Sequence, residues 1–164
     1  MASTRHKLLA FYLPILCGLA SCLSALAQKP FDSKLDPEQD LLAAKGKATQ
    51  EHKNIFLDFG GNWCEPCLRL DAALNQDSEL ATTLEHNFVV VHVAVGIFSS
   101  SKKVNRLREQ LPKFNRYPHV IILTADGTIL HDEVTGDFLT NADGKGIDHK
   151  VLDEFLEKWS PQKQ

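Results

Sequence analysis

Alternating strand-like and helix-like segments predict an α/β fold of three layers, with a central mixed β-sheet flanked by helices. Three observations carry this expectation. Two short, almost wholly apolar runs, 55–59 and 88–95, read as buried strands. Asp126-Gly127 between the β-rich runs 119–123 and 128–133 marks an antiparallel hairpin. Helix-like segments separate the remaining strands, giving the order α-β-α-(α)-β-α-β-β-α.

The elements follow in turn. Arg5, His6 and Lys7 precede an apolar run from Leu8 to Ala20, too short to span a membrane comfortably and typical of an export signal. Two processing sites compete: Ala25-Leu26-Ala27 before Gln28 gives a signal of 1–27 and a soluble product, whereas Leu19-Ala20-Ser21-Cys22 resembles a bacterial lipobox, with residues 1–21 removed and Cys22 lipidated. Residues 28–35 read as a short tether and 36–160 as one domain. Asp36-Pro37-Glu38-Gln39 is a helix start, with a capping Asp and Pro at the first helical position, and the helix is expected to reach about His52. After strand 55–59, a helix from Cys64 continues through Leu68, Leu70 and Leu74. Ser78-Glu79 caps a further helical stretch to about Glu85. Beyond strand 88–95, residues 102–111 form a basic amphipathic helix, Tyr117-Pro118 leads the hairpin, and 149–159 is a closing amphipathic helix.

The 164 residues carry a formal charge of −3. The leader holds two basic residues, Arg5 and Lys7, and no acidic one, so without it the charge is −5. A mildly acidic surface argues against nucleic acid as a partner. About 135 residues remain after the leader, enough for one domain with a real core.

Trp63-Cys64-Glu65-Pro66-Cys67 concentrates the chemistry. A cysteine at a helix N-terminus lies beside unpaired N–H groups and the positive end of the helix dipole, which stabilise a thiolate. Cys64 is therefore the expected nucleophile. Cys67, one turn on, lies about 5–6 Å away, within disulfide range, and is the natural resolving thiol. Pro66 suits a first helical turn, where its missing N–H costs nothing. Two other uses of the pair compete: a zinc site, which lacks a second ligand pair, and a structural disulfide, which gains little stability across so tight a loop. Cys64 and Cys67 are the only free pair once Cys17 and Cys22 have left or been capped.

Asp58 interrupts an apolar strand. Burial of its carboxylate costs free energy unless it is paired or neutral, so its pKa is expected to rise and let it exchange protons with Cys67 near neutral pH. The alternative is a hydrated, inert strand-edge Asp. His92 is expected in the core or at a sheet edge, and His119, next to Pro118, near the dithiol. The polar loops at 99–103 and 141–146 are expected to be solvated.

Over roughly residues 36–159 the chain resembles the thioredoxin superfamily. The Trp-Cys-x-Pro-Cys motif at a strand-to-helix junction, Asp58 six residues before the first Cys, and Tyr117-Pro118 before the last strand pair carry the likeness. It implies a thioredoxin-like three-layer fold, a cis Pro118 against the dithiol, and substrate contacts from Trp63, Tyr117 and Pro118. It also implies proton exchange between Asp58 and the resolving thiol. Two positions depart from the family pattern. Glu65 replaces the usual Gly and opposes the Cys64 thiolate, which together with Pro66 tunes the couple toward reducing. Gly60 stands where thioredoxins usually have an aromatic residue, so the wall beside the dithiol is expected to be open.

The function expected from these residues is an exported thiol–disulfide oxidoreductase, periplasmic or otherwise outside the cytosol, soluble or lipid-anchored at Cys22. Its partners are protein thiols and disulfides. A reductase in an oxidising periplasm also needs an electron donor across the membrane, which the resemblance suggests is a transmembrane thiol-transfer protein. No metal or organic cofactor is implied. Rivals are a thiol oxidant or isomerase, and a thioredoxin-fold binding module whose disulfide is inert.

Overall fold

A computed structural model describes residues 29–98, 100–134 and 146–162. The expected leader with Cys17 and Cys22, Gln28 of the tether, Ser99, and most of the loop 141–146 lie outside them. The described elements are α1 (Pro37–Glu51), β1 (Asn54–Gly60), α2 (Glu65–Gln76), α3 (Ser78–Asn87), β2 (Phe88–Ala94), α4 (Lys102–Glu109), β3 (His119–Leu123), β4 (Ile129–Val134) and α5 (His149–Trp159). Among them, no helix is long and apolar enough to cross a membrane.

The sheet runs in the order β2-β1-β3-β4. β1 pairs in parallel with β2, and β3 runs antiparallel to both β1 and β4. Every residue of β1 is buried, because β1 sits between two partners and beneath helices on both faces. Ile55, Leu57 and Phe59 point to one face, under Ala44 and Ala48 of α1 and Val104 and Leu107 of α4. Phe56 points to the other, with Leu70 and Leu74 of α2, Leu80 and Leu84 of α3, and Leu152 and Leu156 of α5. This is the expected three-layer α/β architecture with a mixed central sheet. The period-2 alternation of β1 sends Asp58 and Gly60 to the Phe56 face, toward α2.

Local signals set most boundaries. Asp36 caps α1, its carboxylate accepting from the Glu38 N–H at 3.2 Å, with Pro37 in the first turn. At α3 the cap is Asp77, not the expected Ser78: its carboxylate accepts from both the Glu79 and Leu80 N–H groups. Both residue types cap helices, and a single oxygen of Asp77, Oδ1, serves both N–H groups. α3 also runs two residues further than expected, directly into β2. The hairpin turns at Gly127, whose φ of +96° is open to glycine and unfavourable for other residues.

The segment read as a tether docks instead. Phe31 is only 2% exposed and belongs to a cluster with Cys64 and Cys67. Burying a phenylalanine stabilises the docked arrangement by about 1.5–3 kcal/mol.

Candidate functional site

β1 ends at Gly60, a turn follows, and α2 begins at Glu65, so the Cys64-Cys67 pair is held between a buried strand and a helix start. Cys64 is the N-cap of α2, and its Sγ accepts from the Cys67 N–H at 3.3 Å. Pro66 lies in the first helical turn. The two cysteines form a disulfide with a Cα–Cα distance of 5.2 Å, inside the separation expected from helical spacing. Cys64 keeps 5% exposure and Cys67 none, so both are more covered than a freely accessible nucleophile.

Trp63 leaves the turn toward solvent. Its indole N–H donates to the Val95 carbonyl at 2.8 Å and its ring meets Tyr117 edge-on at 6.1 Å. The Tyr117–Pro118 peptide is cis, and Tyr117 packs against the Phe31–Cys64–Cys67 cluster. Trp63 and Tyr117 therefore converge on the dithiol. Along the loop that receives the Trp63 hydrogen bond, Ile97 is exposed and Phe98 is 99% exposed.

The wall beside the dithiol is closed, contrary to the expectation from Gly60. A Cβ at position 60 would lie 2.6 Å from Phe31 Cζ and 2.9 Å from Cys67 Sγ. Glycine here admits an aromatic ring from the N-terminal segment, in place of one borne on the strand itself. Asn62 fastens that segment: its amide N–H donates to the Phe31 carbonyl at 2.6 Å, and its side-chain oxygen accepts from the Phe31 N–H at 3.3 Å. Neither Phe31 nor Asn62 was expected in the site. The available signal was the glycine itself, together with a lone Phe in an otherwise polar segment.

Asp58 is completely buried, which excludes the hydrated strand-edge alternative. Desolvation pushes its pKa up, and the hydrogen bond and charge of His92 partly offset this. His92 Nδ1 lies 3.2 Å from Asp58 Oδ2, and His92 Nε2 lies 3.6 Å from Asp71 Oδ1 on α2. The other carboxylate oxygen of Asp58, Oδ1, has no hydrogen-bond partner among the described residues. The sequence held a usable signal for this pair. Each of two neighbouring apolar strands carries an ionisable residue at its fifth position, and in the parallel register Asp58 sits level with His92.

His119 does not join the dithiol. Alternation along β3 turns it to the face of Ile121 and Leu123, away from Asp58, where it stacks on Phe114 at 3.8 Å and contacts Asp132 at 2.5 Å. Glu65 reaches along its helix to Arg69 at 2.7 Å and is mostly solvent-exposed. The pairing draws its charge away from Cys64 and into water, which weakens its leverage on the thiolate.

A family model described as thioredoxin-like matches residues 36–125. No curated protein matches the chain. Among solved structures, a disulphide isomerase from Xylella fastidiosa Temecula1 is similar at TM-score 0.66 and 23% identity, covering 80% of this chain and 97% of that one. The C-terminal domain of Neisseria meningitidis DsbD in its oxidised form is similar at TM-score 0.55 and 17% identity, over 76% of this chain and 96% of that one. These likenesses establish the fold.

Proposed function

We propose that this chain, which belongs to the thioredoxin-like family, is an exported thiol–disulfide oxidoreductase that reduces protein disulfides through Cys64 and Cys67. The observation that carries the reading is the Cys64–Cys67 disulfide at the N-terminus of α2, with the less buried sulfur at the cap. The Cys64 thiolate attacks one sulfur of a substrate disulfide and releases the other as a thiolate. Cys67 gives its proton to Asp58 and attacks Cys64 Sγ, which frees the second substrate sulfur and leaves the Cys64–Cys67 disulfide. Two electrons pass to the substrate, and an external dithiol must return them. A transmembrane thiol-transfer protein fills that role in this reading. Trp63, Tyr117 and Pro118 position an extended substrate beside Cys64.

Two experiments test this. Cys67→Ser, expressed in the source cell, is expected to trap mixed disulfides with substrate proteins, whereas Cys64→Ser traps none; equal alkylation of both thiols at pH 7 overturns the assignment. The reduction potential of the pair is expected nearer about −270 mV than −120 mV. An oxidant or isomerase is the second reading, favoured by the likeness to the Xylella disulphide isomerase, and a value above about −180 mV points to it. An inert binding module shows no exchange at all. Mass analysis of the mature protein tests export, by a start at Gln28 or a lipidated Cys22.

A further inference from the structure

We propose that His92 is the residue through which buried Asp58 exchanges protons with solvent, so that Cys67 loses and regains its proton along the series Cys67, Asp58, His92, Asp71. The inference rests on the reading of Cys67 as the resolving thiol. Asp58 has no exposed surface, so a proton it takes from Cys67 needs a way out before the next cycle. His92 is the group that meets both requirements. Its Nδ1 is 3.2 Å from Asp58 Oδ2, while its side chain keeps 23% exposure and its Nε2 faces Asp71 Oδ1 at 3.6 Å. That outer distance is too long for a direct hydrogen bond but within ion-pair reach of a protonated imidazole, and a small rotation of either side chain closes it.

The geometry is fixed by the fold. The parallel register of β1 and β2 holds Asp58 and His92 level. Phe31 meets the imidazole edge-on at 5.2 Å and is itself pinned by Asn62. The same ring contacts the cysteines, so it excludes water from the direct route to Cys67 and leaves the imidazole as the open one. Asp58 Oδ1 is left to receive the thiol proton.

The proton balance closes over a full cycle. When Cys67 is oxidised, its proton passes to Asp58 and then to His92 Nδ1, and Nε2 releases one to Asp71 or water, leaving the Nδ1–H tautomer. When the disulfide is reduced again, Nδ1–H returns its proton to Asp58 and thence to the thiol, while Nε2 takes one from outside. Each half-reaction therefore resets the tautomer that the other half needs. The charged groups around the series are Asp58 from β1 and Asp71 from α2. Asp32 of the N-terminal segment, and Asp40 and Lys47 of α1, line the clefts beside His92, and His119 acts on Asp58 from β3. Burial raises the Asp71 carboxyl, with His92 and Asn75 opposing. For His92, burial acts downward, but the Asp58 hydrogen bond and charge, with Asp71, bring the net shift upward. Both raised carboxyls can accept a proton at pH values where a free Asp holds none.

The test uses His92→Gln, which keeps a hydrogen-bonding amide and removes the titration. Formation of the mixed disulfide at Cys64 and its resolution by Cys67 are followed separately with a small aromatic disulfide from pH 5.5 to 9. Resolution is expected to slow by at least about ten-fold near neutral pH, with formation unchanged. In the wild-type protein, the His92 ring titration, read by NMR, is expected to differ between the oxidised and reduced states and to fall in Asp58→Asn. This second measurement stands even if His92→Gln fails to fold. A wild-type resolution profile in His92→Gln, or a ring titration blind to the redox state, overturns the relay while leaving the oxidoreductase reading intact. A wild-type protein that forms no mixed disulfide overturns both.

Discussion

Two regions meet at the dithiol and are built differently. Around Cys67 everything is covered: Phe31 packs on the cysteines, Asn62 holds Phe31, and on the same face of β1 the buried Asp58 is bonded to His92. Around Cys64 the neighbours face outward, with Trp63 partly exposed and Ile97 and Phe98 on the adjoining loop open to solvent. The contrast separates two kinds of traffic. In the proposed mechanism, substrate sulfur and its flanking side chains meet the apolar, exposed surface, whereas protons move through the small polar interior, where low dielectric strengthens each interaction.

The largest effect expected from breaking this division is at Asp58. Asp58→Asn keeps the shape and removes the proton acceptor, so resolution by Cys67 is expected to slow by about 100-fold near pH 7, read by insulin reduction across pH 6 to 9. Stability moves the opposite way. A carboxyl whose folded pKa is raised by burial contributes most stability when protonated, and that contribution is lost as pH rises through the raised value. The substitution therefore removes this loss, and the urea midpoint above neutral pH is expected to be unchanged or higher. A wild-type turnover rate over the whole range means the covered region has no part in proton transfer.

Phe31→Ala opens the covered region from above. With the ring gone, alkylation of Cys67 in the reduced protein is expected to rise by about an order of magnitude, while Cys64 changes little. A core Phe→Ala change costs about 3–5 kcal/mol, and a terminal segment can undock at less cost than a core rearrangement. Gly60→Ala is a second way to displace the ring, although its added methyl also presses on Cys67 Sγ, so Phe31→Ala decides between the two effects. Unchanged Cys67 reactivity in both variants removes the cover from the account.

How much of this division was legible in the sequence depends on the range of the interaction that creates it. β3 and α5 fall where the residue pattern puts them, because strand and helix periodicities are carried by near neighbours. The capped cysteine was legible for the same reason, since a helix start is a matter of a few consecutive residues. Phe31 was not, because its partner Asn62 is 31 residues away, and the signals present, Gly60 and a lone Phe, do not say which ring fills the space beside the glycine. His92 hid for a related reason: its offset along β2 acquires meaning only when β2 is known to pair with β1 in parallel. His119 misled because nearness in sequence to Pro118 does not overrule the alternation that turns it to the other face.

On the exposed region, smaller effects are expected. Phe98→Ser removes an apolar surface that makes no core contact, so thermal stability should stay within about 0.5 kcal/mol. The KM for a protein disulfide is expected to rise several-fold and that for glutathione disulfide to stay constant. An equal change for both substrates means that Phe98 acts on the dithiol itself and not on the polypeptide that docks there.

Glu65 should matter least, although it stands next to the nucleophile. Its charge opposes the Cys64 thiolate, which makes the disulfide the more stable form and the couple more reducing. The carboxylate is nevertheless turned toward Arg69 at 2.7 Å and bathed in water, and an exposed ion pair of this kind is worth about 0–1 kcal/mol. Converted at about 30 mV per 1.4 kcal/mol for a two-electron couple, the upper end of that range is about 20 mV. Glu65→Gln is therefore expected to make the potential less negative by no more than about 20 mV. Arg69→Ala, which frees the carboxylate to act on Cys64, is expected to shift it the other way. If Glu65→Gln alone moves the potential by several times that amount, the carboxylate acts on the sulfur despite its partner. The exposed region would then tune the chemistry as well as receive the substrate.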